Sequence, residues 1–216
     1  PDDPEFFMGA TIARWTSRGH QVTYCLLTRG DKGSNDRLVK PQDLAALREG
    51  EQAAAAALLG VKSIQFLDYL DGCLITSMEM RRSVVRIIRQ VRPDILVTCD
   101  PTNYFPNEAG INHPDHRAAG QVVVDGYFPA SGNFHYFPEL LQEGLEPHSV
   151  KEIWLTVTSV PNTVIDVTNY WDTKILALKK HSSQIGDPSR LEERIRARHT
   201  PDTTLEAPRY EEKFRR

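Results

Sequence analysis

Two histidines flank one carboxylate in the stretch INHPDHR, residues 111–117. Imidazole and carboxylate groups are ligands that zinc accepts, and three protein ligands plus water make a catalytic zinc site. His113, Asp115 and His116 could equally begin a helix, with Asp115 favouring the helix dipole and the histidines facing solvent. The stretch by itself therefore leaves two predictions open, a metal site and an ordinary helix start.

A second acidic cluster, PDDPE, opens the sequence and also precedes a helical pattern. Asp2 could cap that helix, and Glu5 is most simply a first-turn acid that answers the helix dipole. If both clusters lie at the same edge of a sheet, however, their side chains could converge on one metal ion. The order of the secondary structure elements bears on this question.

Helical and strand patterns alternate along the chain. Amphipathic and Ala-rich stretches predict helices over residues 5–18, 43–59, 77–91 and 169–181. Apolar and β-branched runs predict strands over residues 21–28, 63–67, 94–98, 151–158 and 163–168. Because strands separated by long helices need parallel crossovers, we predict an α/β, Rossmann-like layered fold with a mostly parallel sheet. Its ligands should lie beyond the carboxyl ends of the strands, where residues 111–117 would be placed.

Composition narrows the classes of function. The chain has 216 residues, 40% hydrophobic and 25% charged, which predicts a single domain over residues 1–216. A net charge of −3 with scattered basic residues argues against a nucleic acid partner. The three cysteines are odd in number and far apart, which favours buried thiols in a reducing cytoplasm. The sequence has no apolar run long enough for a membrane span, no phosphate-binding loop and no serine nucleophile motif.

Five stretches, in order along the chain, resemble the PIG-L/LmbE-like family of zinc-dependent N-acetylglucosamine deacetylases. They are PDDPE, TRGDKG (28–33), REGEQAAAAALLG (48–60), HPDH (113–116) and HSSQ (181–184). The family's opening motif is Ala-His-Pro-Asp-Asp, and the histidine that precedes the proline is missing from this sequence. We therefore expect an N-terminally truncated chain that also lacks the first strand of the family's sheet.

The resemblance implies a zinc cofactor and a role for each matching residue. Asp3 and His116 would be zinc ligands, with the missing histidine as the third. Asp2 would be the general base that takes a proton from zinc-bound water, and a helix cap is its alternative role. His113 would stabilise the oxyanion or protonate the leaving amine, and Asp115 would orient its imidazole.

The resemblance also implies a small N-acetyl sugar as the substrate. Asp31, Arg48 and Asp71 are the residues expected to bind sugar hydroxyl groups, and each could instead be a surface charge. His181 is expected to support the site structurally. Association of several copies of the chain stays open. Two alternative functions also stay open, a zinc amidase for another N-acyl conjugate and a metal-free, inactive sugar-binding relative.

Overall fold

The computed structural model describes residues 1–106 and 110–216 and confirms the alternation of helices and strands. The helices are α1 (Asp3–Ser17), α2 (Pro41–Leu58), α3 (Met78–Val91), α4 (Pro114–Asp125), α5 (Glu139–Gln142), α6 (Trp171–Leu178), α7 (Ser182–Ile185) and α8 (Pro188–Arg196). The strands are β1 (Thr23–Thr28), β2 (Ser63–Tyr69), β3 (Ile95–Cys99), β4 (Glu152–Thr156), β5 (Thr163–Asp166) and β6 (Glu211–Phe214). Every predicted element is present with slightly different ends, and α4 begins at the helix start that was left open as one alternative for the HPDH stretch. The elements α5, α7, α8 and β6 were not predicted.

Parallel strand pairs are the main feature of the β structure. β1 pairs with β2 in a register that places Thr23 opposite Ser63, and α2 forms the crossover between them. β3 pairs in parallel with β4, with Ile95 opposite Glu152, and β5 pairs with β6. The predicted α/β class with parallel strands is therefore confirmed. Among the described residues, the ladders join the strands in pairs and not in one continuous sheet.

The chain forms two compact units. The first contains residues Pro1–Asp71 and Val164–Glu212, and the second contains Gly72–Thr163 and Lys213–Arg216. The core of the first unit is built from Ala10, Val167, Trp171, Ile175, Leu178, Leu191, Ile195 and Tyr210. A smaller cluster in the second unit consists of Val85, Ala130 and Leu140. The single domain expected from the composition stays a prediction.

Helix α3 shows how the local sequence sets an element. Ser77 caps it, because the Ser77 hydroxyl accepts a hydrogen bond from the Met80 amide at 3.1 Å. Val84, Val85 and Ile88 are buried on one face of this helix.

Within residues 1–106 and 110–216, no helix combines the length and the apolar composition that crossing a bilayer requires.

Candidate active site

Asp2 and Asp3 lie at the start of α1 in the first unit. Asp2 occupies the N-cap position, but in the part of the chain that the structure describes its side chain makes no capping hydrogen bond. Its backbone has φ 76° and ψ −23°, a left-handed conformation that costs a residue other than glycine about 1–3 kcal/mol. The helix therefore does not use the Asp2 carboxylate as a cap, and strain of this kind is characteristic of functional sites.

The environment of Asp2 disfavours its charged form. Burial is the main cause that raises the pKa of Asp2 to about 7, and the neighbouring charges of Asp3 and Glu5 act in the same direction. The N-terminal ammonium group and His181 partly oppose this rise. A carboxyl group with this pKa exchanges protons near neutral pH, as a general base must.

A buried polar cluster lies next to Asp2. Glu5 is fully buried, and its carboxylate accepts a hydrogen bond from the Tyr24 hydroxyl at 2.9 Å. The same carboxylate accepts hydrogen bonds from Gln52 Nε2 at 3.0 and 3.1 Å and contacts His181 Nε2 at 3.2 Å. Gln52 Oε1 in turn accepts the Asp2 amide at 3.0 Å. Glu5 is therefore the centre of a hydrogen-bond network and not simply a first-turn acid, and His181 contributes to the same network.

Arg48 holds the loop that follows β1. Its Nη1 donates to the Gly30 carbonyl at 2.7 Å and its Nη2 donates to the Gly33 carbonyl at 2.9 Å. A Cβ atom at Gly33 would lie 2.3 Å from Arg48 Nη1, so a larger residue there would push the guanidinium away from the loop backbone. Arg48 is therefore not a surface charge: its side chain is buried and holds the loop in position.

Asp31 and Asp71 connect the loops that follow β1 and β2. The Asp31 carboxylate accepts the Asp71 amide at 3.1 Å, and the Asp71 carboxylate accepts the Lys32 amide at 3.4 Å. An ionised carboxylate has about four lone-pair sites for hydrogen bonds. Each of these carboxylates accepts one backbone amide and so keeps sites for further donors. The structure thus brings together these two residues that were predicted to bind sugar, and their role in binding stays a prediction.

The HSSQ segment docks onto α2 through Glu51. The Glu51 carboxylate accepts hydrogen bonds from the Ser182 hydroxyl at 2.7 Å, the Ser183 amide at 2.7 Å and the Ser183 hydroxyl at 2.6 Å. Burial on its own would raise the pKa of Glu51, but the hydrogen bonds from Ser183 and Ser182 outweigh burial and hold the pKa below its ordinary value. This bond set fixes the segment that carries His181.

In the second unit, the HPDH motif forms the start of α4. His113 is the N-cap, and its Nδ1 accepts the Asp115 amide at 3.2 Å. A neutral His113 therefore carries its proton on Nε2. The Asp115 carboxylate accepts the amides of Gly72 at 2.7 Å and Leu74 at 3.1 Å. This corrects the expectation that the Asp115 carboxylate orients His113, because the backbone amide of Asp115 makes that contact.

His116 is oriented by an asparagine that the sequence did not single out. Its Nδ1 lies 2.9 Å from Asn112 Oδ1, and Asn112 Nδ2 donates to the Asn103 carbonyl at 2.8 Å. Asn103 is anchored in turn, since its Nδ2 donates to the Val157 carbonyl at 2.6 Å. These bonds fix the Asn112 amide with its oxygen toward His116, so His116 Nδ1 must donate and Nε2 carries the lone pair. This is the tautomer that ligates metals in many proteins.

The end of β3 and the start of α4 are held together closely. A Cβ atom at Gly120 would lie 2.3 Å from the Cys99 carbonyl oxygen, so only glycine allows α4 to pack this near the strand. Asp100 follows the strand and accepts hydrogen bonds from the hydroxyls of Thr102 at 2.6 Å and Thr158 at 2.7 Å. These contacts fix the strand end from which the HPDH loop departs.

The side chains of Asp3 and His116 are of types that bind zinc, but they are fewer than the three protein ligands of a catalytic zinc site. Asp3 offers a carboxylate in the first unit, and His116 offers an imidazole whose tautomer suits a metal ligand in the second. Across residues 1–106 and 110–216, no group of three or more His, Cys, Asp and Glu side chains is arranged to hold an ion. A catalytic zinc site has three protein ligands plus water, so each of these residues could supply one ligand and not a complete set.

Several known proteins resemble this chain. A diacetylchitobiose deacetylase of Thermococcus kodakarensis is 37% identical over 185 residues, which cover 85% of this chain and 67% of the relative. A 1D-myo-inositol 2-acetamido-2-deoxy-α-D-glucopyranoside deacetylase of Streptomyces avermitilis is 34% identical over 57% of this chain and 49% of the relative.

Among solved structures, the N,N'-diacetylchitobiose deacetylase from Pyrococcus horikoshii, complexed with its inhibitor MPG, has a TM-score of 0.88 at 33% identity. The match covers 100% of this chain and 79% of that chain. The family model described as PIG-L, GlcNAc-PI de-N-acetylase, matches residues 1–127, which include both the PDDPE and the HPDH motifs. The chain therefore belongs to the PIG-L family.

Proposed function

We propose that this chain is a zinc-dependent hydrolase that removes the N-acetyl group from an N-acetylglucosamine-type sugar or glycoside. The observation that carries the proposal is the likeness to the diacetylchitobiose deacetylases of Thermococcus and Pyrococcus, which extends over 85% and 100% of the chain. Deacetylation adds water across an amide bond and yields an amine and acetate. The site therefore needs an activated water, a base and a group that stabilises the oxyanion.

Asp3 and His116 are the residues of this chain that would hold the zinc. Zinc, when bound, supplies Lewis acidity and lowers the pKa of water to about 7. Asn112 would keep His116 in the required tautomer through the contact at 2.9 Å.

Asp2 would be the general base. Its carboxylate accepts a proton from the attacking water and later passes it toward the leaving amine nitrogen. Two features support this role. The first is that, within the described residues, the Asp2 side chain is not used as a helix cap, and the second is that its backbone is held in a strained conformation.

His113 would stabilise the oxyanion. Because its Nδ1 accepts the Asp115 amide, a neutral imidazole presents its N–H at Nε2. That N–H can donate to the amide oxygen as negative charge develops on it. The alternative role of His113, protonation of the leaving amine, requires the doubly protonated imidazolium form.

The sugar would be bound by the loops after β1 and β2. Asp31 and Asp71 retain acceptor capacity for hydroxyl groups after their bonds to backbone amides at 3.1 and 3.4 Å. Arg48 would act on the sugar through the loop that it holds by its bonds to Gly30 and Gly33.

Acetate release tests the proposed reaction. The substrates are N,N'-diacetylchitobiose and N-acetylglucosamine, assayed with and without zinc. Two forms of the protein are compared, the chain that begins at Pro1 and the same chain preceded by Ala-His. We expect zinc-dependent acetate release that is greater in the form with Ala-His. Sugar binding without acetate release by either folded form would overturn the proposal and favour the inactive sugar-binding relative.

A further inference from the structure

We propose that Gln52 is a positioning residue that fixes the backbone of Asp2 and thereby aims the Asp2 carboxylate. This inference rests on the proposed function, in which Asp2 is the general base. Gln52 lies in the stretch REGEQAAAAALLG (48–60), but the resemblance gave no role to it. It is fully buried on α2, four residues after Arg48 and on the same face of the helix.

Both ends of the Gln52 amide are used. Oε1 accepts the Asp2 amide at 3.0 Å, whereas Nε2 donates to the two oxygens of Glu5 at 3.0 and 3.1 Å. A flipped amide would place its NH₂ group against the Asp2 N–H and its oxygen against the Glu5 carboxylate. Only one orientation of the side chain therefore satisfies both neighbours.

The anchor of Gln52 is itself fixed from several elements. Glu5 lies on α1 and is fully buried, and it accepts the Tyr24 hydroxyl of β1 at 2.9 Å. His181, which is also fully buried, lies 3.2 Å from the second Glu5 oxygen. Because Glu5 is held in this way, its bonds to Gln52 Nε2 fix the Gln52 side chain. The fixed Oε1 of Gln52 in turn holds the Asp2 amide in place.

Asp2 needs such fixation because its backbone is in the left-handed region, at φ 76°. A strained residue of this kind keeps its conformation only where its surroundings determine it. The Asp2 carbonyl accepts the Phe6 amide at 3.0 Å, and the Asp2 amide is held by Gln52 at 3.0 Å. The Gln52 bond is therefore the side-chain contact that holds the N–H side of this residue.

The test compares Gln52→Met with Tyr24→Phe. Gln52→Met keeps the length of the side chain and removes both polar ends, so the Asp2 amide loses its acceptor. Tyr24→Phe removes one donor to Glu5, but Glu5 stays held by Gln52 and His181, and the contact between Gln52 and Asp2 is left intact. Each variant is assayed well below its melting temperature, on N,N'-diacetylchitobiose with zinc. The exchange rate of the Asp2 amide with solvent is measured by NMR on the same samples.

We expect Gln52→Met to lower kcat by about 10- to 100-fold with KM little changed, because a small misplacement of a catalytic group has an effect of this order. We also expect the Asp2 amide of this variant to exchange faster, while Tyr24→Phe resembles the parent in kcat and in exchange rate at Asp2. An equal loss of kcat in both variants, or an unchanged kcat in Gln52→Met, would overturn the inference.

The exchange measurement separates this inference from the proposed function. If the parent releases no acetate from the sugar, the proposed function fails on its own. In that case unchanged exchange at Asp2 in Gln52→Met would overturn the claim that Gln52 fixes its backbone. Faster exchange in Gln52→Met but not in Tyr24→Phe would support that claim.

Discussion

Lys174 and Glu212 form a buried ion pair inside a break in helix α1, with Lys174 Nζ 2.7 Å from Glu212 Oε1. The break is at Met8, whose φ of −150° is not helical. Lys174 Nζ also donates to the Phe6 carbonyl at 2.9 Å, and Glu212 Oε1 accepts the Ala10 amide at 3.2 Å. A continuous helix would join that carbonyl and that amide directly, so the ion pair bridges the two groups across the break.

This relationship predicts a large effect of Lys174→Met on stability. The side chains of Lys174 and Glu212 are 2% and 3% exposed, and removal of the lysine leaves a buried carboxylate without its counter-charge. We expect the free energy of unfolding in urea to fall by about 3–5 kcal/mol. Lys179→Met is the matched control, because Lys179 pairs with Glu192 at 31% and 32% exposure. Its expected cost is at most about 1 kcal/mol. Equal costs for the two variants would refute the importance of the buried bridge.

The two histidines of the HPDH motif should differ in their effect on zinc. His116→Ala removes a proposed ligand, so we expect both the zinc content and the rate of acetate release to fall sharply. His113→Ala removes a proposed oxyanion donor, so we expect zinc to be retained and kcat to fall by about 10²–10³-fold. Metal analysis of the purified variants, together with the rate on N,N'-diacetylchitobiose, checks this. Equal loss of zinc from both variants would show that the division of roles is wrong.

Asn112 should influence zinc through the tautomer of His116. Asn112→Ala removes the oxygen that lies 2.9 Å from His116 Nδ1, and we expect the zinc affinity to fall by about 10- to 100-fold. Competition with a chelator of known affinity measures this change. Asn112→Asp keeps an acceptor for His116 and should retain more affinity than Asn112→Ala. The tautomer argument fails if the alanine variant binds zinc as tightly as the parent.

Glu51 should contribute to the pH dependence of stability. Its pKa is lowered in the folded state, so its contribution is present above the unfolded pKa of about 4.5. The contribution is lost as the pH falls through the folded pKa. In Glu51→Gln we therefore expect a smaller decrease in the free energy of unfolding between about pH 5 and pH 3 than in the parent. Glu206→Gln, a change at an exposed carboxylate, is the control. A pH profile of Glu51→Gln that matches the parent would contradict this account.

Periodicity predicted the elements that have a strong apolar pattern. The Ala-rich helix α2 and the apolar strands β1 and β3 were found from composition and spacing alone. Helix α8 was missed because Leu191 and Ile195 are its buried apolar residues and most of its other residues are charged. Strand β6 was missed because three of its four residues are charged. Such elements depend on their neighbours for stability, and the sequence pattern does not reveal those neighbours.

The site was predictable as motifs and not as contacts. The positions of Asp2 and His113 at helix starts followed from their neighbours in sequence. The partners of Gln52 and of the Asp115 carboxylate did not, because they lie 41 to 50 residues away along the chain. A buried glutamine looks like a surface glutamine in a single sequence. One usable signal was the four-residue spacing of Arg48 and Gln52, which places both side chains on one face of α2.

Asp2→Asn separates the base role of Asp2 from a structural one. Asn preserves the shape of the side chain. Within the described residues the Asp2 carboxylate makes no capping hydrogen bond to the helix, so the melting temperature should change little. The base role predicts that kcat on N,N'-diacetylchitobiose falls by about a hundredfold or more, because Asn cannot accept the proton. Zinc should remain bound, since Asp3 is the proposed ligand. Melting temperature, zinc content and rate are measured on the same preparation. Retained activity would refute the base role, and loss of zinc would show that the roles of Asp2 and Asp3 are exchanged.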